Sequence, residues 1–211
     1  MKVTKYEHAF LCIEDQGKKL IIDPGSYSPS LPTLEDVCAI IITHVHADHF
    51  DLTHIDDILS KNPDAKIYTV SEVAKELGDR PHEVVSANTS ELCGVFHVSF
   101  FVDRHAVIHE SLPVWENTGV TVNETLYYPG DSFALPHMPV KILAAPAGSP
   151  WAKIGEEIDF ITAIKPEQVF PTHNAHLSEI GLQGRDSWLK QAAEKVGAKY
   201  TVLKPGDSLS V

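Results

Sequence analysis

Four residues that can bind metal ions, His44, His46, Asp48 and His49, lie within six positions. They follow residues 39–42, an apolar, β-branched run that is typical of a strand buried on both faces. Residues two apart in an extended segment point the same way, so His44 and His46 can face one metal ion. A turn after His46 can direct Asp48 and His49 to an adjacent position. Because imidazole nitrogens and carboxylate oxygens are suitable ligands for zinc and related divalent metals, this segment predicts a metal site.

Two simpler interpretations of the same segment are less favoured. A solvated polar turn that happens to be rich in histidine does not explain four such side chains directly after a buried strand. Together they would be costly to bury without a metal or charged partners. A histidine-rich metal store would not need buried strands that lead into each ligand.

One segment cannot complete two metal shells, so further ligands are expected where other strands end. Asp131 follows Gly130, which allows the backbone to turn close to a site, and its two carboxylate oxygens can bridge two cations. His173 and His105 each lie just past a predicted strand. His109 is the alternative to His105. We favour His105 because it lies nearer the strand end, where ligands of such sites collect.

Strand and helix patterns come in clusters, which favours two packed sheets with helices outside over one regularly alternating parallel sheet. No composition break marks a linker, so residues 1–211 are expected to form a single domain. The predicted helices cover residues 52–59, 72–77, a segment capped by Ser149 that ends before Pro166, and 186–196. The predicted strands cover residues 9–13, 19–22, 39–42, 66–70, 83–86, 95–102, 120–122, 125–128, 142–145, 169–170 and 201–203.

Charge and composition narrow the partners and the compartment. The chain has 29 acidic and 17 basic residues among 211, a formal net charge of −12, which disfavours a general nucleic-acid surface. No apolar run approaches the roughly 18 residues that cross a bilayer, and the apolar stretch near the N-terminus is too short for a signal peptide. The three cysteines are widely spaced among apolar neighbours and are expected to be reduced core residues. These features predict a cytoplasmic protein without a membrane partner.

The motif Thr43-His-x-His-x-Asp-His49 resembles the signature of the metallo-β-lactamase superfamily of metal-dependent hydrolases. Residues 20–25, which end in Asp-Pro-Gly, are similar to the start of that superfamily, and Tyr-Pro-Gly-Asp at 128–131 is similar to its later aspartate motif. The stretches 105–109, 117–119 and 171–175 look most like bacterial proteins related to the ascorbate-phosphate lactonases. The likeness covers nearly the whole chain.

The resemblance implies an α/β protein, a four-layer αββα sandwich with two divalent metal ions at one edge between the sheets. Zn²⁺ is the expected metal, and Mn²⁺ or Fe²⁺ accept the same ligands. Asp23 matches a carboxylate that steadies the ligands; the alternative is a turn-capping role before Pro24. The implied ligands are His44, His46 and His105 for the first metal, Asp48, His49 and His173 for the second, and Asp131 as the bridge.

Two departures from the family pattern bear on the substrate. Asp131 stands where members that cleave β-lactams commonly carry cysteine, so antibiotic hydrolysis is not expected. The chain is also shorter than the phosphorylated-sugar lactonases, which puts that substrate in doubt but not the chemistry.

The expected activity is hydrolysis of a small, anionic metabolite, a lactone or a phosphoester, by a metal-bridging hydroxide. Asp48 would orient the hydroxide and pass a proton to the leaving group. His8, His109, His176 and Trp151 are candidates for substrate contact or for support of the ligands, while local packing explains His8 and Trp151 equally well.

Two alternatives to this activity stay open, a phosphodiesterase or nuclease of the same fold, and a non-catalytic metal-binding protein that kept the fold. We also hypothesise a homo-oligomer, in which a neighbouring copy completes an otherwise uncovered pocket.

Overall fold

The computed structural model describes residues 1–211 as two seven-stranded sheets and four helices. None of the helices combines the length and apolarity that a membrane span requires. The helices are α1 (Leu52–Lys61), α2 (Ser71–Leu77), α3 (Ile154–Ile164) and α4 (Glu179–Lys195). The strands are β1 (Lys2–Lys5), β2 (Leu11–Asp15), β3 (Lys18–Ile22), β4 (Val37–Ile42), β5 (Lys66–Thr69), β6 (His82–Val84), β7 (Thr89–Cys93), β8 (Phe96–Arg104), β9 (Glu116–Val122), β10 (Leu126–Tyr128), β11 (Ile142–Pro146), β12 (Gln168–Thr172), β13 (Lys199–Tyr200) and β14 (Ser208–Ser210).

Both sheets are mixed, with an antiparallel part and a parallel part. The first has the order β14-β1-β2-β3-β4-β5-β6, antiparallel from β14 to β3 and parallel from β3 to β6. The second has the order β13-β12-β11-β10-β9-β8-β7, antiparallel from β7 to β10 and parallel from there to β13. Helices α1 to α4 lie in the connections β4–β5, β5–β6, β11–β12 and β12–β13. The parallel pairs β3–β4 and β10–β11 are joined by long loops without a helix, residues 23–36 and 129–141.

Three apolar clusters hold four layers together. The largest, 22 buried residues, draws on both sheets and includes Leu11 and Phe100. A second cluster packs α1 and α2 onto the first sheet, and a third packs α3 and α4 onto the second sheet. This layer order confirms the predicted αββα sandwich. The apolar run in β4 is buried because this strand has a sheet neighbour on each side and apolar clusters on both faces.

The sequence patterns placed several element boundaries wrongly. Ser149 does not cap a helix, because α3 begins at Ile154, where Glu156 Oε2 accepts the backbone N–H of Lys153 at 2.7 Å. α4 begins at Glu179 with Ser178 as its N-cap, seven residues before the predicted start. Residues 201–203 are not a strand, and β1, β7 and β14 were not predicted.

The candidate ligands come together because their strands end at one edge of the sandwich. His105 and His173 directly follow β8 and β12, while His44 and Asp131 follow β4 and β10 after short turns. The segment after β3 packs against the backbone of the histidine motif, and Ser26 donates its N–H to the carbonyl of Ala47 at 2.8 Å. This close approach depends on Gly25, where a Cβ would lie 2.0 Å from the carbonyl oxygen of Asp48.

We therefore expect Gly25→Ala to lower the free energy of unfolding by about 3 kcal/mol, the upper end for overpacking, because backbone would have to move. Urea denaturation measures this. Gly184→Ala is the matched control, since its Cβ would meet nothing within 4 Å on the exposed face of α4. That change should stabilise the protein by up to about 1 kcal/mol through helix propensity. Equal effects of both substitutions would contradict the packing argument.

Candidate metal centre

The structure brings together all seven side chains that the sequence predicts as metal ligands. Six of them form two overlapping groups, and within each group the potential ligand atoms lie within 4.8 Å of one another; the seventh, Asp48, belongs to a further group with His173. Asp131 belongs to both groups. The first group is His44, His46, His105 and Asp131, and the second is His49, Asp131 and His173.

The carboxylate of Asp131 lies at the centre of the cluster and is almost fully buried. Its Oδ1 lies 3.2 Å from Nε2 of His49. Its Oδ2 lies 2.9 Å from Nε2 of His173 and 3.3 Å from Nε2 of His105. The carboxylate therefore contacts histidines of both groups, as expected for a side chain shared by two cations.

Asp48 lies beside the second group. Its Oδ2 is 3.3 Å from Nε2 of His173 and 3.8 Å from Nε2 of His49. The side chain of Asp48 is 17% exposed, whereas that of Asp131 is 3% exposed. Asp48 is therefore the carboxylate of the cluster that a molecule from solvent can reach.

The buried donor and acceptor atoms of the cluster fit divalent ions. Nε2 of His49, His105 and His173 and Oδ1 of Asp131 are buried without a hydrogen-bond partner, because their short mutual contacts lack hydrogen-bond geometry. Leaving such atoms unpaired is costly, and buried polar groups are otherwise nearly always satisfied. Imidazole nitrogens and carboxylate oxygens that converge in this way can be satisfied together by Zn²⁺ or a similar cation.

The opposite ring nitrogens are held so that Nε2 faces the cluster. Nδ1 of His49 donates to Oδ2 of Asp23 at 2.7 Å, and Nδ1 of His105 donates to the carbonyl of Ala106 at 2.5 Å. Nδ1 of His173 lies 2.9 Å from the hydroxyl of Ser149. Contacts of this kind fix the tautomer and orientation of metal-binding histidines.

Asp23 supports residues 43–49, the segment that carries four of the candidate ligands. Its carboxylate is fully buried and accepts from the backbone N–H of Thr43 at 2.8 Å and from the Thr43 hydroxyl at 2.6 Å. Because that hydroxyl donates to Asp23, its lone pair can accept from Nδ1 of His44 at 3.0 Å. The hydroxyl of Tyr128 donates to Asp23 at 3.0 Å. These bonds connect the side chain of Asp23 to the ligands and not to the turn that follows it.

His8 and Trp151 contact the two carboxylates of the cluster directly. The N–H of Ala175 donates to Nδ1 of His8 at 3.3 Å, so Nε2 carries the proton and donates to Oδ2 of Asp48 at 3.0 Å. Nε1 of Trp151 donates to Oδ2 of Asp131 at 2.8 Å. Both side chains are therefore placed to orient a carboxylate.

The two remaining candidates occupy different places. His176 is exposed, and its ring centroid lies 5.0 Å from that of His8 and 5.7 Å from that of His173. It also belongs to a group of potential ligand atoms with Asp48. His109 is exposed outside the cluster, where its Nδ1 contacts the hydroxyl of Ser111 at 2.7 Å.

Electrostatics favour ligand-competent forms of these groups. Burial lowers the pKa of His44 far below its usual range and, together with His105, lowers the pKa of His46 to about 4. Both rings are then neutral at pH 7 and keep a lone pair. Burial opposes ionisation of Asp131, but His173 and His49 outweigh it and hold the pKa of this carboxyl well below its usual range.

Burial also opposes protonation of His49, yet the carboxylates of Asp131 and Asp23 hold the pKa of this ring well above its usual range. The same two carboxylates would favour a metal cation at this place.

Several supporting residues were not singled out from the sequence. Thr43 and Tyr128 were quoted only as parts of motifs, and Ser149 was interpreted as a helix cap. Asn117 accepts the backbone N–H of Asp131 at 3.0 Å and donates to the carbonyl of Pro129 at 2.9 Å, which fixes the turn that carries Asp131. No local signal marks these roles, because each depends on a contact between distant segments.

We expect Asp23→Asn to lower metal affinity 10–100-fold and the free energy of unfolding by about 2–3 kcal/mol. The amide would turn a donor towards groups that all donate to Asp23. A chelator competition titration and urea denaturation measure the two effects. Asp36→Asn is the control, because Asp36 also has a positive φ but is exposed on the surface. Unchanged metal affinity in Asp23→Asn would contradict the assigned role.

Comparison with known proteins gives a family that agrees with this arrangement. Residues 2–173 match the family model of the β-lactamase superfamily domain. The chain is 34% identical to Protein Rv0786c of Mycobacterium tuberculosis over 180 residues, which cover 83% of this chain and 84% of that protein. It is 27% identical to the UPF0173 metal-dependent hydrolase PYRAB05000 of Pyrococcus abyssi, with both chains covered completely.

Solved structures show the same fold. Igni18, a metallo hydrolase from the archaeon Ignicoccus hospitalis, superposes with a TM-score of 0.76 at 21% identity over 99% of this chain and 97% of that one. CmlA, a diiron β-hydroxylase from Streptomyces venezuelae, gives a TM-score of 0.74 at 16% identity over 100% of this chain and 54% of that one. On the family match and these relatives, the chain belongs to the β-lactamase superfamily and is a metal-dependent hydrolase.

Proposed function

We propose that residues 1–211 form one binuclear hydrolase domain that cleaves the ester bond of a small metabolite. The proposed substrate is a lactone, and a phosphoester is the alternative. The observation that carries this proposal is the position of Asp131, whose carboxylate lies within 4 Å of His44 and His105 on one side and of His49 and His173 on the other. A shared carboxylate of this kind is a feature of sites that hold two metal ions.

In the proposed site, His44, His46 and His105 would hold one ion, and Asp48, His49 and His173 would hold the other. Asp131 would contribute to both. Zn²⁺ is the proposed metal, since a set of four or five nitrogen and oxygen ligands suits it; Mn²⁺ and Fe²⁺ accept similar ligands.

Two bound divalent ions would supply an activated water and positive charge to polarise the substrate oxygen. Asp48 then has the position of a proton carrier, because it is the more exposed carboxylate and His8 holds its Oδ2. We propose that it orients the attacking water and delivers a proton to the leaving oxygen. Trp151 keeps Asp131 in place through its N–H.

The surroundings of the cluster favour a lactone over a phosphoester. The ion pairs of the cluster involve only histidine and aspartate. Arg104, next to a proposed ligand, directs its Nη1 to the carbonyl of Val114, and Lys153 is exposed before α3. A phosphoryl group would call for a basic side chain at this place, so the same observation weighs against an anionic substrate.

The net charge of the chain and its full set of proposed ligands weigh against the two alternative functions. The net charge of −12 disfavours a nuclease, and the presence of all seven proposed ligands disfavours a non-catalytic role. We propose a cytoplasmic location. The homo-oligomer stays a prediction.

We expect the protein to bind two equivalents of Zn²⁺ per chain, and His105→Ala to bind one with high affinity. Each metal-free form would be loaded, dialysed and measured by elemental analysis. Free metal at a hundred times its Kd should raise the free energy of unfolding by about 2.7 kcal/mol. His97→Ala is the control and should keep two equivalents, because His97 is exposed on β8, the strand that His105 follows. One equivalent in the unmodified protein would contradict the binuclear site.

We expect metal-loaded protein to hydrolyse lactones in a matched panel of lactones, phosphomonoesters and phosphodiesters. Asp48→Ala should lower kcat by about 10²–10⁴-fold through loss of proton transfer, with KM changed less. Initial rates and the metal content of each variant are measured together.

Asp57→Ala is the control for this experiment, because Asp57 is exposed on α1 and pairs only with Lys61. An unchanged kcat in Asp48→Ala would refute the role of Asp48. No turnover by protein that holds two metals would favour the non-catalytic alternative.

A further inference from the structure

A cavity of about 440 Å³ lies on the other side of His8 from the metal cluster. It is formed by the end of β1, by residues that follow His173, by the first half of α4 and by residues 202–205. Its volume falls within the range of roughly 300–1,000 Å³ that is usual for pockets that bind small molecules. His8 contributes to its wall while its Nε2 contacts Asp48, so this imidazole separates the cavity from the cluster.

Lys5 is the unusual residue of this cavity. It is only 2% exposed, although lysine is almost never fully buried without a partner. Its ammonium has three donors, and its one hydrogen bond goes to the carbonyl of Tyr6 at 3.1 Å. It forms no ion pair within 4.0 Å, unlike Lys18, Lys61 and Lys66 at the surface.

The burial of Lys5 lowers its pKa to about 8, while the carboxylates of Glu7, Asp186 and Asp207 act in the opposite direction. The side chain is therefore mainly protonated at pH 7 but poorly compensated. An anionic group placed beside it would replace the water that it has lost.

Carboxylates line other parts of the same cavity. Glu7, Glu179 and Asp186 belong to the lining, and Oδ1 of Asp186 accepts the hydroxyl of Tyr200 at 2.7 Å. None of the three lies within 4.0 Å of the Lys5 ammonium, so the cavity presents positive and negative groups that do not pair directly with each other. A simple anion would meet repulsion from these carboxylates, whereas a ligand with both charges would be complementary to the lining.

The remaining lining combines the polar side chains of Asn174, Gln183 and Lys204 with an apolar part. Leu177 and Leu182 come from the start of α4 and the turn before it, and Leu203 and Pro205 come from the segment near the C-terminus. These side chains can cover the apolar part of a ligand whose charged groups contact Lys5 and the carboxylates.

We propose that this cavity is a second ligand site, which binds a small amino acid with an apolar side chain. The carboxylate of the ligand pairs with Lys5, its ammonium faces Asp186 and Glu7, and its side chain packs against Leu177 and Leu182. This ligand is not the substrate of the metal cluster, because His8 lies between the two sites. The inference therefore does not depend on the proposed hydrolysis.

The test is binding of L-norleucine to the full chain at pH 7, measured by isothermal titration calorimetry and by ligand-observed NMR. Hexanoate lacks the ammonium and hexylamine lacks the carboxylate, so each removes one of the two proposed contacts. We expect norleucine to bind saturably, and both analogues to bind at least 10-fold more weakly.

Three variants connect this binding to the cavity. Lys5→Met should weaken norleucine binding at least 10-fold, whereas Lys2→Met, an exposed position on the same strand, should not change it. Leu182→Trp fills the cavity from α4 and should weaken binding in a protein that keeps Lys5. Thermal unfolding verifies that each variant is folded. Absence of saturable binding, equal binding of hexanoate or hexylamine, or unchanged binding in Lys5→Met would overturn the proposal.

Discussion

The buried carboxylate of Asp131 is the constraint on which the rest of the site depends. Three histidine Nε2 atoms and one oxygen of this carboxylate are buried without hydrogen bonds, and ion pairs within the cluster offset this cost only in part. The cluster is therefore built for something that the polypeptide does not contain. Cations would satisfy all of these atoms together, and Asp131 can serve two of them because its carboxylate contacts histidines of both groups. The layers around it keep water away and hold the proposed ligands in place.

Rigidity of the cluster comes from long-range hydrogen bonds more than from the ligands. Asp23 lies after one strand of the first sheet, yet its carboxylate accepts hydrogen bonds from Thr43 and His49 in the loop after β4 and from Tyr128 in β10. Tyr128 comes from the second sheet, so this bond also fixes the two sheets relative to each other at the edge that carries the proposed ligands. Gly25 allows the same segment to touch the backbone of Asp48. The positions of the proposed ligands are therefore a property of both sheets together.

Local patterns predicted what local forces determine. The buried run of β4 and the histidines after it could be identified because hydrophobic period and ligand spacing are both contained in one segment. β1 and β14 were missed because they pair with each other across nearly the whole chain, and the short segment of β14 has no distinctive pattern of its own. Ser149 looked like a helix cap, but its hydroxyl contacts His173, so a tertiary contact outweighed the local preference. From the sequence, Asp23 could either support the proposed ligands or cap the turn before Pro24. The contacts of its side chain with Thr43 and His49 favour the first interpretation.

The fold and the proposed metal ligands determine where metal ions can bind more closely than they determine which reaction is catalysed. A diiron hydroxylase shares the sandwich with metallo hydrolases, so groups around the cluster must choose the chemistry. In this chain those groups are aromatic and apolar. Trp115 packs edge-on against His46 at 4.4 Å between ring centroids, and Tyr27 packs against His176 at 5.3 Å. The segment between His105 and Trp115 exposes Val107 and Ile108 to solvent. Such surroundings lower the dielectric constant near the cluster and strengthen every charge interaction within it. They agree with the proposed lactone, which brings more uncharged surface to a polar centre than a phosphate ester does.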